Sequence, residues 1–173
     1  MKQPTITEID QIRNAGFRPQ IVGCFLNNKK ILFLYMEKHK LWQFPQGGID
    51  NNENMTEAFF REMSEELGDE FAKSYDKNIL LFYGDKVEFP KYSQNSRELK
   101  NDAGQNIFMK GKKYFFICAE TKVDVLKISN SQFDDFKWVS LEEGLALCDK
   151  IEQSGKKRIM IGALNELRKI GLL

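Results

Sequence analysis

The segment from Gly47 to Gly68 reads GGIDNNENMTEAFFREMSEELG and constrains this chain more than any other. Asn54 is a good N-cap, and Glu57 stands three residues later as in a capping box. Phe59, Met63 and Leu67 recur every four residues and predict the buried face of a helix that Gly68 ends. Glu62, Glu65 and Glu66 then fall on the neighbouring stripe, at i, i+3 and i+4, close enough to repel one another. A solvated acidic face normally places cations four residues on. No Lys or Arg lies four beyond any of these glutamates, and only Arg61, four before Glu65, offers a partner. Hard oxygen ligands clustered in this way suit Mg²⁺, or Mn²⁺, better than Zn²⁺. The stripe predicts a divalent-metal site for phosphate chemistry.

The rest of the chain is consistent with one domain spanning residues 1–173, since 42% hydrophobic content over that length supplies a sizeable core. The net charge of +1 gives no global argument for a polyanionic partner, so any basic surface must be local. Cys24, Cys118 and Cys148 are odd in number, widely spaced and free of any CxxC, and read as buried thiols in a reducing compartment. No apolar run reaches spanning length and the N-terminus carries no signal pattern, so the expectation is a cytoplasmic protein without membrane contact. Thr5 and Glu8 predict a short capped helix ending near Gly16. Ile21–Leu26 and Ile31–Tyr35 read as a hairpin around Asn27–Lys30. Strands are expected at Ile79–Tyr83 and Tyr114–Ala119, with a weaker one at Lys86–Phe89. Pro90–Gly111 is a polar stretch too long for an ordinary connection, expected as a lid or a disordered loop. Ser140 with Glu143 opens a helix running to about Cys148, and a last helix is expected from Lys157 to Ile170, stopped at Gly171.

Gly47, Glu53 and the run Arg61-Glu62-Met63-Ser64-Glu65-Glu66-Leu67-Gly68 resemble the Nudix box, with every fixed position of that pattern present. Its final, ordinarily aliphatic position is Asp69, a change expected to loosen packing after the helix. The resemblance implies an α/β fold, an α/β/α sandwich around a mixed β-sheet, and Mg²⁺-dependent hydrolysis of a nucleoside diphosphate linked to another group. Four further segments resemble the bacterial RNA pyrophosphohydrolases and their relatives, the diadenosine polyphosphate hydrolases. They are Leu41-Trp42-Gln43-Phe44-Pro45-Gln46-Gly47-Gly48-Ile49-Asp50 leading into the box, Gly16-Phe17-Arg18-Pro19, Phe133–Val139, and Lys156-Lys157-Arg158.

With that resemblance, Glu62, Glu65 and Glu66 with the Gly47 carbonyl are the expected metal ligands. Glu53 and Arg61 are expected to pair and hold the loop against the helix, with Arg61 orienting Glu62. Arg18 and the Lys156-Lys157-Arg158 cluster are expected to bind the polyphosphate or stack on the terminal base, and Lys40, or Lys38 in its place, to lie near the phosphates. Trp42 and Phe44 read as core or strand residues and His39 as a loop residue. One departure bears on mechanism: Gln132 stands where the RNA enzymes carry a glutamate, and an amide neither takes a proton nor ligates a hard ion well. Either the base is Glu65 or Glu66, or Glu120, Asp134 or Asp135 substitutes for it, or turnover is slow. Three functions stay open: removal of pyrophosphate from 5′-triphosphorylated RNA, hydrolysis of dinucleoside polyphosphates, and a nucleotide- or RNA-binding module without turnover.

Overall fold

The computed structural model describes residues 1–90, 98–126 and 132–173. In chain order its elements are α1 (Ile6–Asn14), β1 (Phe17–Asn27), β2 (Lys30–Met36), a single 3₁₀ turn (Glu37–His39), β3 (Leu41–Gln43) and β4 (Gln46–Gly48). There follow α2 (Met55–Leu67), α3 (Asp69–Ala72), β5 (Leu80–Glu88), β6 (Glu98–Lys100) and β7 (Asn106–Phe108). The chain closes with β8 (Gly111–Glu120), β9 (Asp135–Val139), α4 (Leu141–Asp149) and α5 (Ser154–Lys169).

The main sheet runs β3-β2-β1-β8-β5, with β4 added beside β1 and β9 beside β2. It is mixed: β1 and β8 are parallel and the other pairs antiparallel. Strand β1 is buried on both faces, and its side chains alternate between two cores. Ile21 and Phe25 join Phe59 and Met63 of α2 and Phe115 and Ile117 of β8 in one core. Val22, Cys24 and Leu26 join Phe116 and the α4 and α5 residues Cys148, Ala163 and Leu164 in the other. This is the α/β architecture that the resemblance implies, a mixed sheet flanked by helices. Gly23 lets α2 lie close to the sheet, since a Cβ there would stand 2.6 Å from Met63 Sδ.

All three predicted capping boxes form, at Thr5/Glu8, Asn54/Glu57 and Ser140/Glu143. Asn28 and Lys29 take left-handed backbone (φ 49° and 59°), as a two-residue hairpin turn between twisted strands requires. The three cysteines are buried and free. Among the described residues no helix is long and apolar enough to cross a membrane.

Four expectations need correction. Ile79–Tyr83 and Lys86–Phe89 are one strand, β5, with an irregularity between Leu81 and Tyr83 that breaks its alternation. Asp69 does not loosen the packing: it accepts a hydrogen bond from Ser64 Oγ, and Phe71 takes the apolar position, 5% exposed and edge-on to Phe25 at 4.9 Å. The last helix starts at Ser154, ahead of Lys157, behind a Gln153 cap whose side chain makes no capping bond. Within Pro90–Gly111, residues 98–108 are neither lid nor disordered loop but a hairpin, β6 paired with β7; residues 91–97 lie outside the described residues.

Candidate active site

Helix α2 and strand β4 build the site together. Strand β4 pairs with β1 through Gln20↔Gly48 and Val22↔Gln46, which lays Gln46–Gly48 across the helix stripe bearing the glutamates. The Glu62 carboxylate comes so near the Gly47 backbone that a Cβ at position 47 would stand 1.7 Å from Glu62 Oε2. Only glycine fits there. Arg61 fixes the geometry from behind. Its guanidinium donates to both oxygens of Glu53 at 2.8 Å, to Glu62 Oε1 at 2.8 Å and to the Gly48 carbonyl at 3.0 Å. Those carboxylates hold the Arg61 proton far above its ordinary range, through Glu53 first. Glu53, bonded to Arg61 and to the Asp50 amide, is lowered despite its partial burial. The expected Glu53–Arg61 pair is present, and Arg61 touches Glu62.

Glu66 lies deeper, with 8% exposure. One of its oxygens accepts from the Gln46 amide at 2.8 Å and the other from the Gln132 side-chain amide. Burial is the largest cause pushing its carboxyl up to about 8, and the nearby Glu62 charge adds to it, against the lowering bonds from Gln46 and Gln132. Gln132, the departure from the RNA enzymes' glutamate, is thus a donor to Glu66.

A pocket of ≈ 430 Å³ opens over this pair, lined by Glu62, Glu66, Gly47 and Gly48. Arg18 from β1, Lys112 from β8 and Lys156 from α5 line the same pocket, with the Arg18 guanidinium so close to Gly48 that a Cβ there would stand 2.8 Å from it. The Lys156 ammonium is buried and bonds to Gln43 Oε1; burial, then Lys112, lowers it to about 8. Lys112 reaches Gln20 Oε1 at 3.1 Å. Carboxylates and cations thus line one pocket, which suits an anionic substrate bridged to a divalent ion.

Other candidates lie elsewhere. Glu65 does not line the pocket; its side chain is 60% exposed and 3.6 Å from Arg61 Nη1. Among the described residues no three His, Cys, Asp or Glu side chains are grouped to hold a metal, so the three glutamates are not brought together as a set. Lys40, with a left-handed backbone (φ 47°), lies with Lys38 in a neighbouring hollow, and His39 reaches the pocket rim instead. Lys157 bonds to Asp149 and Arg158 to Asp85, both away from the pocket. Glu120 lies in a separate hollow with Asn27 and Thr121. Asp134 caps the Glu37 amide and Asp135 bonds its neighbour Phe136, so neither lines the pocket as a substitute base. Phe44 is 1% exposed, and Trp42 packs on Tyr35 at 5.0 Å with Lys137 over its ring. Sequence reasoning missed Gln20, Gln43 and Lys112. The period-two rule would have put Gln20 on the same face as Arg18, but Lys112 reaches the pocket only through the long-range β1–β8 pairing.

The donor set fits a hard divalent cation. The carboxylates of Glu62 and Glu66, one raised by burial beside the other, adjoin the Gly47 backbone, and an ion of that charge would relieve the pair.

Comparison with known proteins agrees with the geometry. The NUDIX domain profile matches residues 17–160. The RNA pyrophosphohydrolase of Actinobacillus succinogenes is 31% identical over 130 residues, covering 72% of this chain and 62% of that protein. That of Haemophilus ducreyi is 34% identical over 131 residues, covering 72% and 63%. The chain spans a little over three fifths of the length of these relatives. Among solved structures, the E. coli dihydroneopterin triphosphate pyrophosphohydrolase shares the fold, with a TM-score of 0.59 at 13% identity over 86% of this chain and 97% of that one. With its profile matched over most of the length, the glutamate helix, the Gly47 approach and the Glu53–Arg61 pair have a common explanation: the chain belongs to the Nudix hydrolase family.

Proposed function

We propose that the chain is a single-domain, Mg²⁺-dependent hydrolase of phosphoanhydride bonds that removes pyrophosphate from 5′-triphosphorylated RNA in the cytoplasm. The observation that carries this reading is the one pocket that Glu62 and Glu66 share with Arg18, Lys112 and Lys156. The named relatives and the Leu41–Gly48 segment support RNA as substrate.

Glu62, Glu66 and the Gly47 carbonyl would hold the ion, joined by Glu65 once it turns from Arg61. A Mg²⁺ bound there supplies charge neutralisation to the phosphate oxygens and acidity to a water for in-line attack on phosphorus. Arg18 and Lys156 bind the polyphosphate and orient it, Arg18 as a planar fork and Lys156 as a point charge. Arg61 keeps Glu62 facing the pocket, and the Gln46 and Gln132 donors keep Glu66 there. Glu66 lines the pocket and Glu65 does not, which makes Glu66 the better candidate for proton acceptor. The products are a 5′-monophosphate end and pyrophosphate, or two orthophosphates in steps.

A second reading, hydrolysis of dinucleoside polyphosphates, fits the same pocket, since among the described residues lining it none is Phe, Tyr or Trp. Recognition then falls on the phosphate chain that both substrates share. The test is a side-by-side Mg²⁺-dependent assay on 5′-triphosphorylated RNA and diadenosine tetraphosphate, with Glu66→Gln as control. Faster pyrophosphate release from RNA supports the first reading, and faster dinucleotide cleavage the second. Nucleotide binding without product, unchanged by the substitution, would make the chain a binding module.

A further inference from the structure

Arg13 is 1% exposed, which an arginine seldom is. It sits in α1, on no motif that the site's chemistry uses. Its Nη1 donates to Asp102 Oδ1 at 3.0 Å, and its Nη2 to the Ile49 and Asp50 carbonyls at 2.9 and 2.7 Å. Asp102 lies in the turn between β6 and β7, and the same Oδ1 accepts from Asn51 Nδ2 at 2.9 Å and the Asn52 amide at 3.2 Å. The turn is fastened to α1 twice more, by the Asp102 amide on Asp10 at 2.7 Å and by Asn101 Nδ2 on Asn14 at 2.9 Å. Helix α1 and the β6–β7 hairpin thus grip the loop of residues 49–52 from two sides.

That loop leads directly into the site. It joins Gly48, beside the glutamates, to Glu53. The Asp50 amide donates to Glu53 at 2.8 Å, Glu53 holds Arg61, and Arg61 holds both Glu62 and the Gly48 carbonyl. Every link between Asp102 and Glu62 is a hydrogen bond of 3.0 Å or less. We propose that Arg13 and Asp102 are positioning residues: together they set the loop of residues 49–53, and through Glu53 and Arg61 they aim Glu62 into the pocket. The metal arm of this idea rests on the ligand assignment proposed above, and the loop arm stands on the geometry alone. Such a fork spanning two carbonyls and a carboxylate cannot be replaced by lysine, a point donor.

The experiment compares Arg13→Lys and Asn51→Asp with the wild-type chain and with Leu164→Ala, a core change in α5 remote from the loop. Asn51 is exposed, so Asn51→Asp folds while setting a second carboxylate against Asp102. Amide hydrogen exchange is followed at Gln46, Asp50 and Asn52, Mn²⁺ binding by the EPR signal of the free ion, and kcat and KM on both substrates above. The expected result is exchange at those three amides about tenfold faster than in wild type, and Mn²⁺ half-saturation raised by about tenfold, with kcat lowered and KM within about twofold. Leu164→Ala loosens α5 and leaves the three amides and Mn²⁺ binding as they were. Loop exchange in both variants within about twofold of wild type, or quickened no more than the rest of the chain, overturns the proposal. If Arg13→Lys fails to fold, Asn51→Asp decides alone. A wild-type chain that binds no Mn²⁺ refutes the metal assignment, and the exchange data still decide the brace.

Discussion

Replacing Glu66 by glutamine will stabilise the metal-free protein at pH 9, and the gain will vanish in acid. An ordinary glutamate titrates near 4.5, and burial pushes this one up to about 8. At about 1.4 kcal/mol per pH unit, keeping Glu66 ionised in the folded state costs up to about 5 kcal/mol. The sign follows from where the proton is held. The folded chain keeps the Glu66 proton to higher pH than the unfolded chain, so stability of the metal-free protein falls as pH rises from about 4.5 to about 8. Beyond that it levels. A glutamine has no such slope. It fits between the same two donors, with Oε1 accepting from the Gln46 amide and Gln132 turning its own amide to accept, at a cost of about 1 kcal/mol. The buried Lys156 titrates in both proteins and largely drops out of the difference. The net expectation is about 2–4 kcal/mol in favour of Glu66→Gln at pH 9, and about zero or slightly negative at pH 5. Urea unfolding in EDTA at pH 5, 7 and 9 measures it, a gain of 1 kcal/mol corresponding to roughly 2–4 °C in Tm for a chain of this size. A gap that stays constant with pH, or a variant less stable than wild type at pH 9, would refute the reasoning. Saturating Mg²⁺ at pH 9 should restore the wild-type chain and leave the variant where it was.

Glu62→Gln should lower kcat by at least about a hundredfold with the fold intact, because charge stabilisation at phosphorus carries the rate. Glu65→Gln should do likewise, although Glu65 lies beside Arg61; wild-type turnover there would leave Glu65 out of the ligand set. In Gly47→Ala the new methyl meets the Glu62 carboxylate, so turnover should fall by about a hundredfold with Tm changed by only a few degrees, measured by steady-state kinetics and calorimetry. Arg61→Ala strands Glu53 and Glu62 together and should cost about 2–3 kcal/mol of stability at pH 8; denaturation curves of variant and wild type read this.

Local signals in the chain proved legible and long-range ones did not. The three capping boxes and the Asn28–Lys29 turn each rest on residues within four positions of one another, and each stands where the pattern put it. Strand β5 was divided because Gly84 and Asp85, residues depleted in strands, interrupt its apolar run. Helix α5 was started late because Gln153 offers no side-chain cap to announce it. At the site, the Glu53–Arg61 pair was readable, since both residues belong to one motif. Lys112 and Asp102 were not. They come to the pocket and the loop through the pairing of β8 with β1 and the docking of the β6–β7 turn on α1, and a charged side chain in isolation reads as solvated surface. Lys40 and Lys157 were misplaced for the same reason: a cation near a motif in sequence can point to a different hollow, as Lys40 does, or to a different partner, as Lys157 does with Asp149.

The parallel pairing of β1 with β8 also bears on how the chain reaches this state. Its register runs from Phe17↔Gly111 to Leu26↔Glu120, joining the first segment of the sheet to one made long afterwards. The helix that bears Glu62 and Glu66 is synthesised between them, before half of the surface it packs against exists. Closing so long a loop precedes any reward from the central pair, so the sheet centre should form late and set the folding rate. Until β8 arrives, the apolar face of α2 and one edge of β1 are open to other chains. This protein should therefore be most prone to aggregate during synthesis and refolding.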